Sequence, residues 1–338
     1  MSKNQYLKTM GWDIGGAHLK AVLLEDAKVV QVLQIPCELW RGLDKLEAAL
    51  NKALGAFDVK DVQHAVTMTG ELVDLFANRR EGVIAISGVL ANLLGKNTQF
   101  YAAELGFIGI QDLAAQTAYI ASANWHASAS LLAKHVPEAL FVDIGSTTTD
   151  IIPIVGGKVD SSTDALRMQS DTLVYTGVVR TPVMALAQKL AFEGAKTNVA
   201  AEYFATMADV YRLTGDLTLK NDVAETADNK GKTWLDSARR LARMVGHDVE
   251  DKPIETWKNL AFECKKIQMQ HIKQAVLKHS KDSNAMIGAG AGAFLVEQLA
   301  SELKHEYLSV SQALSIELNE NLEVCFPAYA VARLLEQC

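Results

Sequence analysis

Ala139-Leu140-Phe141-Val142-Asp143-Ile144-Gly145-Ser146-Thr147-Thr148-Thr149-Asp150-Ile151-Ile152-Pro153 reads as an apolar strand, a short polar turn and a second apolar strand. Each apolar run is short, bounded by turn residues and rich in side chains that suit a pleated surface. Gly145 permits a tight reversal, and Ser146, Thr147, Thr148 and Thr149 follow it as a dense set of hydroxyl and amide donors. Such donors suit phosphate oxygens. The competing reading is a threonine-rich strand satisfied within a sheet. Asp143 ends the first strand, where a carboxylate can hold hydrated Mg²⁺ with one or two protein oxygens plus waters. Asp150, at the start of the return strand, joins Asp143 among the catalytic candidates.

The same pattern opens the chain. Thr9-Met10-Gly11-Trp12-Asp13-Ile14 runs into Gly15-Gly16, and Leu19 to Leu24 returns as a strand. Glycines in such a turn let backbone amides approach an anion without a Cβ in the way. Asp13 is the second candidate metal ligand, Lys20 a source of positive charge, and His18 a binding candidate beside the glycines. Alone, this could be a glycine turn capped by an aspartate. Its repetition as Asp-Ile-Gly at Asp13 and Asp143 points instead to a duplicated domain. A third motif, residues 285–294, alternates Gly288, Gly290 and Gly292 before a helix. It offers a close approach to a flat or anionic group at a helix start. Its spacing is not the dinucleotide GxGxxG, and tight packing is the alternative reading.

Working outward, Val29–Leu33 reads as a third strand, and Leu43, Leu46, Leu50 and Leu54 mark one face of a helix. His64–Thr69 reads as a buried strand ending at Gly70. Helices are expected at Glu71–Asn78 and Ile84–Leu94, a strand at Gln99–Glu104, and a helix or helix pair over Leu113–Ala133. Gly156-Gly157 closes another hairpin. Thr181–Gln274 reads as mostly helical, and Ala328–Gln337 as a final helix. The expected domains are 1–136 and 137–326, with a helical insertion at about 181–275 and a last helix, 327–338, packing back on the first domain.

The bulk properties agree with this reading. The chain's 338 residues suit two domains, and its 49% hydrophobic and 22% charged residues are ordinary for a globular protein. A formal charge of −7 argues against a sequence-independent nucleic-acid binder. The four cysteines, Cys37, Cys264, Cys325 and Cys338, form no CxxC pair. Neither the segment Met1–Trp12 nor any apolar run has signal-peptide or membrane-spanning character. A cytoplasmic protein without a membrane or nucleic-acid partner is expected; its oligomeric state is not encoded in any visible motif.

Two strand–turn–strand motifs with a late glycine turn resemble the phosphate-1, phosphate-2 and adenosine motifs of the two-domain actin-like ATPase superfold of sugar kinases, heat-shock ATPases and actin. The resemblance implies an α/β fold in which two related domains face each other across a cleft, with Mg²⁺ between them. A narrower resemblance lies in Asp143–Pro153, Ala121-Ser-Ala-Asn-Trp-His126, Leu173-Val-Tyr-Thr-Gly-Val-Val-Arg-Thr-Pro182 and Ala238-Arg-Arg-Leu-Ala-Arg-Met-Val-Gly-His-Asp248. These segments are similar to the hydantoinase/oxoprolinase-related, tetrahydromethanopterin-linked C1-transfer proteins, whose characterised members are methanofuran-biosynthesis synthases. The resemblance implies a transferase. It would join an aminomethyl-furanmethyl diphosphate to the phenol of γ-glutamyltyramine, or a tyrosine-derived analogue, and release pyrophosphate. Mg²⁺ is the implied cofactor.

The alternatives are an ATP-dependent small-molecule kinase or hydantoinase/oxoprolinase-like amidohydrolase, and a nucleotide-switched assembly protein. Ala17-His18 stands where many such ATPases carry a threonine, which weakens the ATPase reading. Thr67, Thr69, Gly70 and Glu71 close a central strand, a common site position. Glu71 is either catalytic or a first-turn helix carboxylate favoured by the dipole. Asn124 and His126 are polar candidates ahead of the second hairpin, and Arg180 could hold an anionic substrate end or a surface ion pair. Arg239, Arg240 and Arg243 have the spacing of a solvated helix face.

Overall fold

The computed structural model describes residues 8–57, 62–222, 224–280, 284–317 and 320–338. Residues 1–7 of the segment weighed for signal-peptide character lie outside the described residues. The chain divides into two units. The first takes the residues up to Pro137 together with Ile154–Ser162 and Ser311–Cys338; the second takes Glu138–Pro153 and Thr163–Val310.

The first unit is built on a six-stranded sheet. Its strands are β1 (Lys8–Ile14), β2 (His18–Glu25), β3 (Lys28–Pro36), β4 (Val62–Met68), β5 (Thr98–Tyr101) and β6 (Phe107–Gly109), in the order β3-β2-β1-β4-β5-β6. β1, β2 and β3 form an antiparallel meander, whereas β4 runs parallel to β1 and β5 parallel to β4. Its helices before Pro137 are α1 (Leu43–Ala56), α2 (Arg79–Leu94), α3 (Ile110–Leu113), α4 (Thr117–Ile120) and α5 (Asn124–Ala133).

Alternation along β1 assigns its two faces. Met10, Trp12 and Ile14 enter a core with Leu46 and Leu50 of α1 and Val83, Ile86 and Leu90 of α2. Each such side chain, fully buried, contributes about 1.5–3 kcal/mol. On this side Trp12 Nε1 donates to His64 Nδ1 at 3.2 Å, and burial lowers the His64 pKa to about 4. Between that value and the ordinary ~6.5, the unfolded chain binds more protons than the folded one. Stability therefore falls as pH drops through this window, by at most about 3 kcal/mol. His64→Gln, which keeps an acceptor and cannot charge, should flatten the melting temperature between pH 7 and 4.5; an unchanged slope would sink this assignment.

The opposite face carries Thr9, Gly11 and Asp13. A Cβ on Gly11 would collide with the Ala328 carbonyl oxygen and approach the Ala332 methyl. The missing side chain thus lets a late alanine-rich helix lie directly on the strand.

The second unit has a five-stranded sheet of β7 (Ala139–Ile144), β8 (Thr149–Ile154), β9 (Leu173–Val174), β12 (Ala285–Ala289) and β13 (Glu306–Ser309), ordered β13-β12-β7-β8-β9. Its helices are α6 (Asp164–Ser170), α7 (Val183–Leu186), α8 (Met207–Thr214), α9 (Trp234–Arg243), α10 (Ile254–His279) and α11 (Ala293–Leu303). A separate hairpin joins β10 (Lys189–Phe192) to β11 (Ala195–Asn198). The chain then passes through α12 (Val310–Leu314) and α13 (Glu320–Val324) to α14 (Phe326–Leu335), the helix over Gly11. The central strand of each sheet ends in Asp-Ile-Gly and lies between its hairpin partner and a parallel strand, β4 beside β1 and β12 beside β7.

Several local expectations need correction. Glu71–Asn78 is not a helix: it is a three-residue 3-10 turn at Gly70–Leu72 followed by turns, with Asn78 capping α2 through its side chain. Leu113–Ala133 contains breaks between α3, α4 and α5. Thr181–Gln274 includes the β10–β11 hairpin as well as helices. Gly288 lies inside β12 rather than in the turn, and a Cβ there would press on the Tyr307 ring at 2.7 Å.

Arg240 is 1% exposed rather than solvated. It bonds Asp209 through Nε at 2.8 Å and Asp228 through Nη1 at 3.0 Å. Arg212 shares Asp209 at 2.8 Å and forks onto Asp222 at 2.6 Å with both Nε and Nη2. This network ties α8 and α9 to the intervening chain.

Candidate functional site

The first glycine turn is closed by Gly15 N–H donating to the His18 carbonyl at 3.0 Å. Its other carbonyls are braced from outside: Cys37 N–H bonds Ala17 O at 2.9 Å, Leu39 N–H bonds Gly16 O at 3.1 Å, and Thr69 N–H bonds Ile14 O at 2.9 Å. Among the described residues no acceptor is seen for the Gly16 and Ala17 amides. Consecutive uncommitted amides of this kind form an anion cradle.

Asp13 and Lys20 face each other across β1 and β2, and Lys20 Nζ lies 3.3 Å from Asp13 Oδ2. The other carboxylate oxygen, Oδ1, is buried and has no hydrogen-bond partner among the described residues; neither has the hydroxyl of Thr67, the register neighbour of Asp13 on β4. His18 is half-buried, and burial first, then the charge of Lys20, lower its pKa.

The loop after β4 packs against this turn. A Cβ on Gly70 would meet Ile14 O at 3.1 Å, and one on Gly16 would meet Val73 at 2.7 Å. The next residue, Glu71, is buried and accepts a 2.8 Å hydrogen bond from Ser122 Oγ. Burial raises its pKa to about 7 against the opposing pull of that bond. A three-residue turn has little dipole to offer, so the helix-dipole reading of Glu71 gives way to burial and Ser122. Asn124 begins α5 and its side-chain oxygen accepts from Trp125 N–H at 2.8 Å. His126 is buried and bonded to Tyr101 Oη at 2.9 Å and Ser130 Oγ at 3.3 Å, inside the unit rather than at its surface.

The second turn repeats the first. Gly145 N–H donates to Thr148 O at 2.8 Å. The Ser146 carbonyl accepts from Val179 N–H at 3.1 Å and Arg180 N–H at 2.8 Å, and Gly145 O accepts from Val178 N–H at 3.0 Å. Among the described residues no acceptor is seen for the Ser146 and Thr147 amides, and Ser146, Thr147 and Thr148 are half-buried.

Gly177 lies directly beneath: a Cβ there would strike the Ser146 and Thr147 backbone. Thr181 Oγ1 accepts from Gly177 N–H at 2.7 Å, and Gln268 Nε2 reaches Gly177 O at 3.0 Å and Thr176 Oγ1 at 2.9 Å. Tyr211 Oη in turn donates to Gln268 Oε1 at 2.5 Å. The glycine turn after β12 closes on the end of β7. Gly290, at φ +80°, sits where a Cβ would hit Asp143 Oδ1, and Gly292 N–H donates to Ile144 O at 2.8 Å.

Three sequence candidates are drawn elsewhere. Thr149 is fully buried and donates to Thr176 O at 2.6 Å, so its hydroxyl serves the sheet. Asp150 is held by buried Arg167 at 2.6 Å; burial raises its pKa against that cation, and the pair gives it a structural task. Arg180 contributes its backbone amide to the turn while its side chain is exposed. Gln268 and Tyr211 are not among the sequence candidates, and Gly177 and Ser122 enter only within the segments of family resemblance, because each acts across a long separation in the chain.

Mg²⁺ can be tested against these groups. Among the described residues no cluster of three or more His, Cys, Asp or Glu could cage an ion. The uncommitted Asp13 Oδ1 instead fits an ion held by one carboxylate and several waters. Asp143 ends the matching strand of the second unit, with its Oδ1 against Gly290.

The duplicated sheet with its paired glycine turns is the actin-like ATPase superfold. A nucleotide-free acetone carboxylase, solved in work on ATP-dependent acetone carboxylation, aligns at TM-score 0.55 with 10% identity over 97% of this chain and 70% of that one. Residues 63–337 match the hydantoinase/oxoprolinase family model, and the chain belongs to that family. The (4-{4-[2-(gamma-L-glutamylamino)ethyl]phenoxymethyl}furan-2-yl)methanamine synthase of Methanocaldococcus jannaschii is 28% identical over 97% of both chains. The synthase of the same name from Methanococcus vannielii is 32% identical over 58% of this chain and 90% of its own length. No described helix is long and apolar enough to cross a membrane.

Proposed function

We propose that this chain is a synthase of methanofuran-type C1-carrier biosynthesis that forms an aryl ether. The phenol oxygen of a γ-glutamyltyramine-like acceptor would replace diphosphate on the methylene of an aminomethylfuran, releasing pyrophosphate. The relatives' names support this, because the product they print joins a phenol oxygen to a furan-bound methylene. The observation that carries the diphosphate part is the pair of turns with uncommitted amides at Gly16-Ala17 and Ser146-Thr147.

The bond between the methylene and the diphosphate oxygen breaks as the new carbon–oxygen bond forms, and the furan oxygen spreads the developing positive charge. The leaving group departs with the electron pair and needs preorganised donors. Each turn offers such donors: the Gly16 and Ala17 amides with the Lys20 ammonium at the first, and the Ser146 and Thr147 amides with the Ser146, Thr147 and Thr148 hydroxyls at the second. Mg²⁺, held by Asp13 in the first unit or by Asp143 in the second, would add charge neutralisation on the phosphate oxygens. Without a threonine at Ala17-His18, ATP should turn over slowly or not at all.

Pyrophosphate release from the furan diphosphate, with ATP as control, tests the reading. Thr147→Val and Thr148→Val should each slow release by roughly ten- to a hundredfold, about 1.4 kcal/mol per tenfold step. Lys20→Met should act at least as strongly, and chelation of Mg²⁺ should stop release. Rapid ATP hydrolysis with no release from the furan diphosphate would favour a kinase or amidohydrolase instead. Release unaffected by chelator would remove the metal alone.

A further inference from the structure

Three observations meet behind the first glycine turn. Ser122 is 7% exposed and holds φ +53°, a left-handed conformation that costs a serine energy and persists only when its surroundings impose it. That backbone delivers Oγ to Glu71 Oε1 at 2.8 Å. The other carboxylate oxygen, Oε2, is buried with no hydrogen-bond partner among the described residues, and the Glu71 side chain belongs to a residue only 2% exposed. A buried carboxyl with one oxygen committed and one orphaned is expensive to maintain. Strain and an orphaned acceptor at one strand end, next to a phosphate-type turn, point to use rather than to stability.

Leu72 and Leu75 on the same loop are exposed, and so is Trp40, next to Leu39, whose side chain meets Gly70. Gly82 of α2 lets the helix close on the loop, since a Cβ there would lie 2.8 Å from the Glu71 backbone. The charged group acting on Glu71 from α2 is Arg79, which opposes the upward shift, and the hairpin on the Gly70 side carries Asp13, His18 and Lys20. None of these is bonded to Oε2.

We propose that Glu71 accepts the phenol proton in the ether-forming step, and that Ser122 is the positioning residue that aims its carboxylate. This rests on the synthase reading above. The phenol O–H bond breaks to Glu71 Oε2, the oxygen's electron pair forms the bond to the methylene, and diphosphate leaves with the pair from the broken carbon–oxygen bond. Glu71, now neutral, returns its proton to solvent. A carboxyl titrating near neutrality suits proton transfer at physiological pH.

The test follows pyrophosphate release against pH, with the natural-type phenol and with a ring-fluorinated phenol that ionises without help. Glu71→Gln should lose about a hundredfold or more with the first acceptor and recover most of that loss with the second. Ser122→Gly relieves the strained φ, so its melting temperature should hold. Its acidic limb should nevertheless move to higher pH, because the bond that favours the ionised carboxylate is gone. A purely structural Ser122 would leave the limb in place. Release by Glu71→Gln at the wild-type rate, an equal loss with both phenols, or an unmoved limb in Ser122→Gly overturns the proposal while the synthase reading stands. No pyrophosphate release by the wild-type enzyme from any furan diphosphate overturns both.

Discussion

Asp209→Ala should be among the most damaging substitutions in the second unit, lowering stability by about 3–5 kcal/mol and the melting temperature by roughly 6–20 °C. Asp209 is completely buried and does three tasks at once. Its Oδ1 meets Arg240 at 2.7–2.8 Å and Arg212 at 2.8 Å, and its Oδ2 accepts from Thr206 N–H at 3.1 Å to complete the capping box of α8. Removing the carboxylate strands two guanidinium groups that are 1% and 8% exposed as side chains. Arg212 keeps Asp222 and Arg240 keeps Asp228, which limits the loss.

The cost comes from the unpaired charge more than from the lost attraction. The double variant Asp209→Leu, Arg240→Met should therefore recover part of the stability lost by Asp209→Ala. Thermal melts of the two variants decide it. A single variant within about 1 kcal/mol of the parent would mean that water or Asp222 and Asp228 replace the carboxylate.

The same network shows where sequence reasoning stops. Arg239, Arg240 and Arg243 share helical spacing, and spacing alone places them toward solvent. Arg240 is turned inward because Asp209, from the preceding helix, is there to meet it, and no local pattern encodes that partner. The two Asp-Ile-Gly hairpins were legible because strand, turn and strand are contiguous and each closes on itself through one glycine amide.

Thr149 and Asp150 show a related limit. They adjoin the turn in sequence, but strand alternation sends one to the Thr176 carbonyl and the other to Arg167. Gly288 reads in sequence as part of a ligand-binding turn, whereas within β12 a Cβ on it would meet the Tyr307 ring of the adjacent strand and Val296. Ser122 lies in one of the segments of family resemblance, but its left-handed backbone is recognised only from the structure. What a chain segment does to itself can be read from sequence; what a distant segment requires of it cannot.

Gly177→Ala is the sharpest probe of the second turn, and it should cut pyrophosphate release by roughly a hundred- to a thousandfold, the size of losing a well-placed oxyanion donor. Gly177 is not needed for its own backbone angle, as its φ is not in the left-handed range. It is needed because an added methyl would fall on the Ser146 carbonyl carbon and oxygen and the Thr147 nitrogen, all backbone atoms that cannot swing aside. The turn is also fixed from the other side, by Val178, Val179 and Arg180 amides bonded to Gly145 O and Ser146 O.

The intrusion must therefore either break those bonds or rotate the Ser146-Thr147 peptide, and both redirect the amides offered to phosphate. Overpacking of this kind costs about 1–3 kcal/mol of stability, so activity loss through unfolding has to be separated from loss through geometry. Gly246→Ala serves as the control: its φ is +78° with nothing within 4 Å of a Cβ. It should lose about 1 kcal/mol through backbone strain and keep its kcat. If Gly177→Ala, folded and assayed below its melting temperature, matched that control in kcat, the second turn would not be where the leaving diphosphate is held.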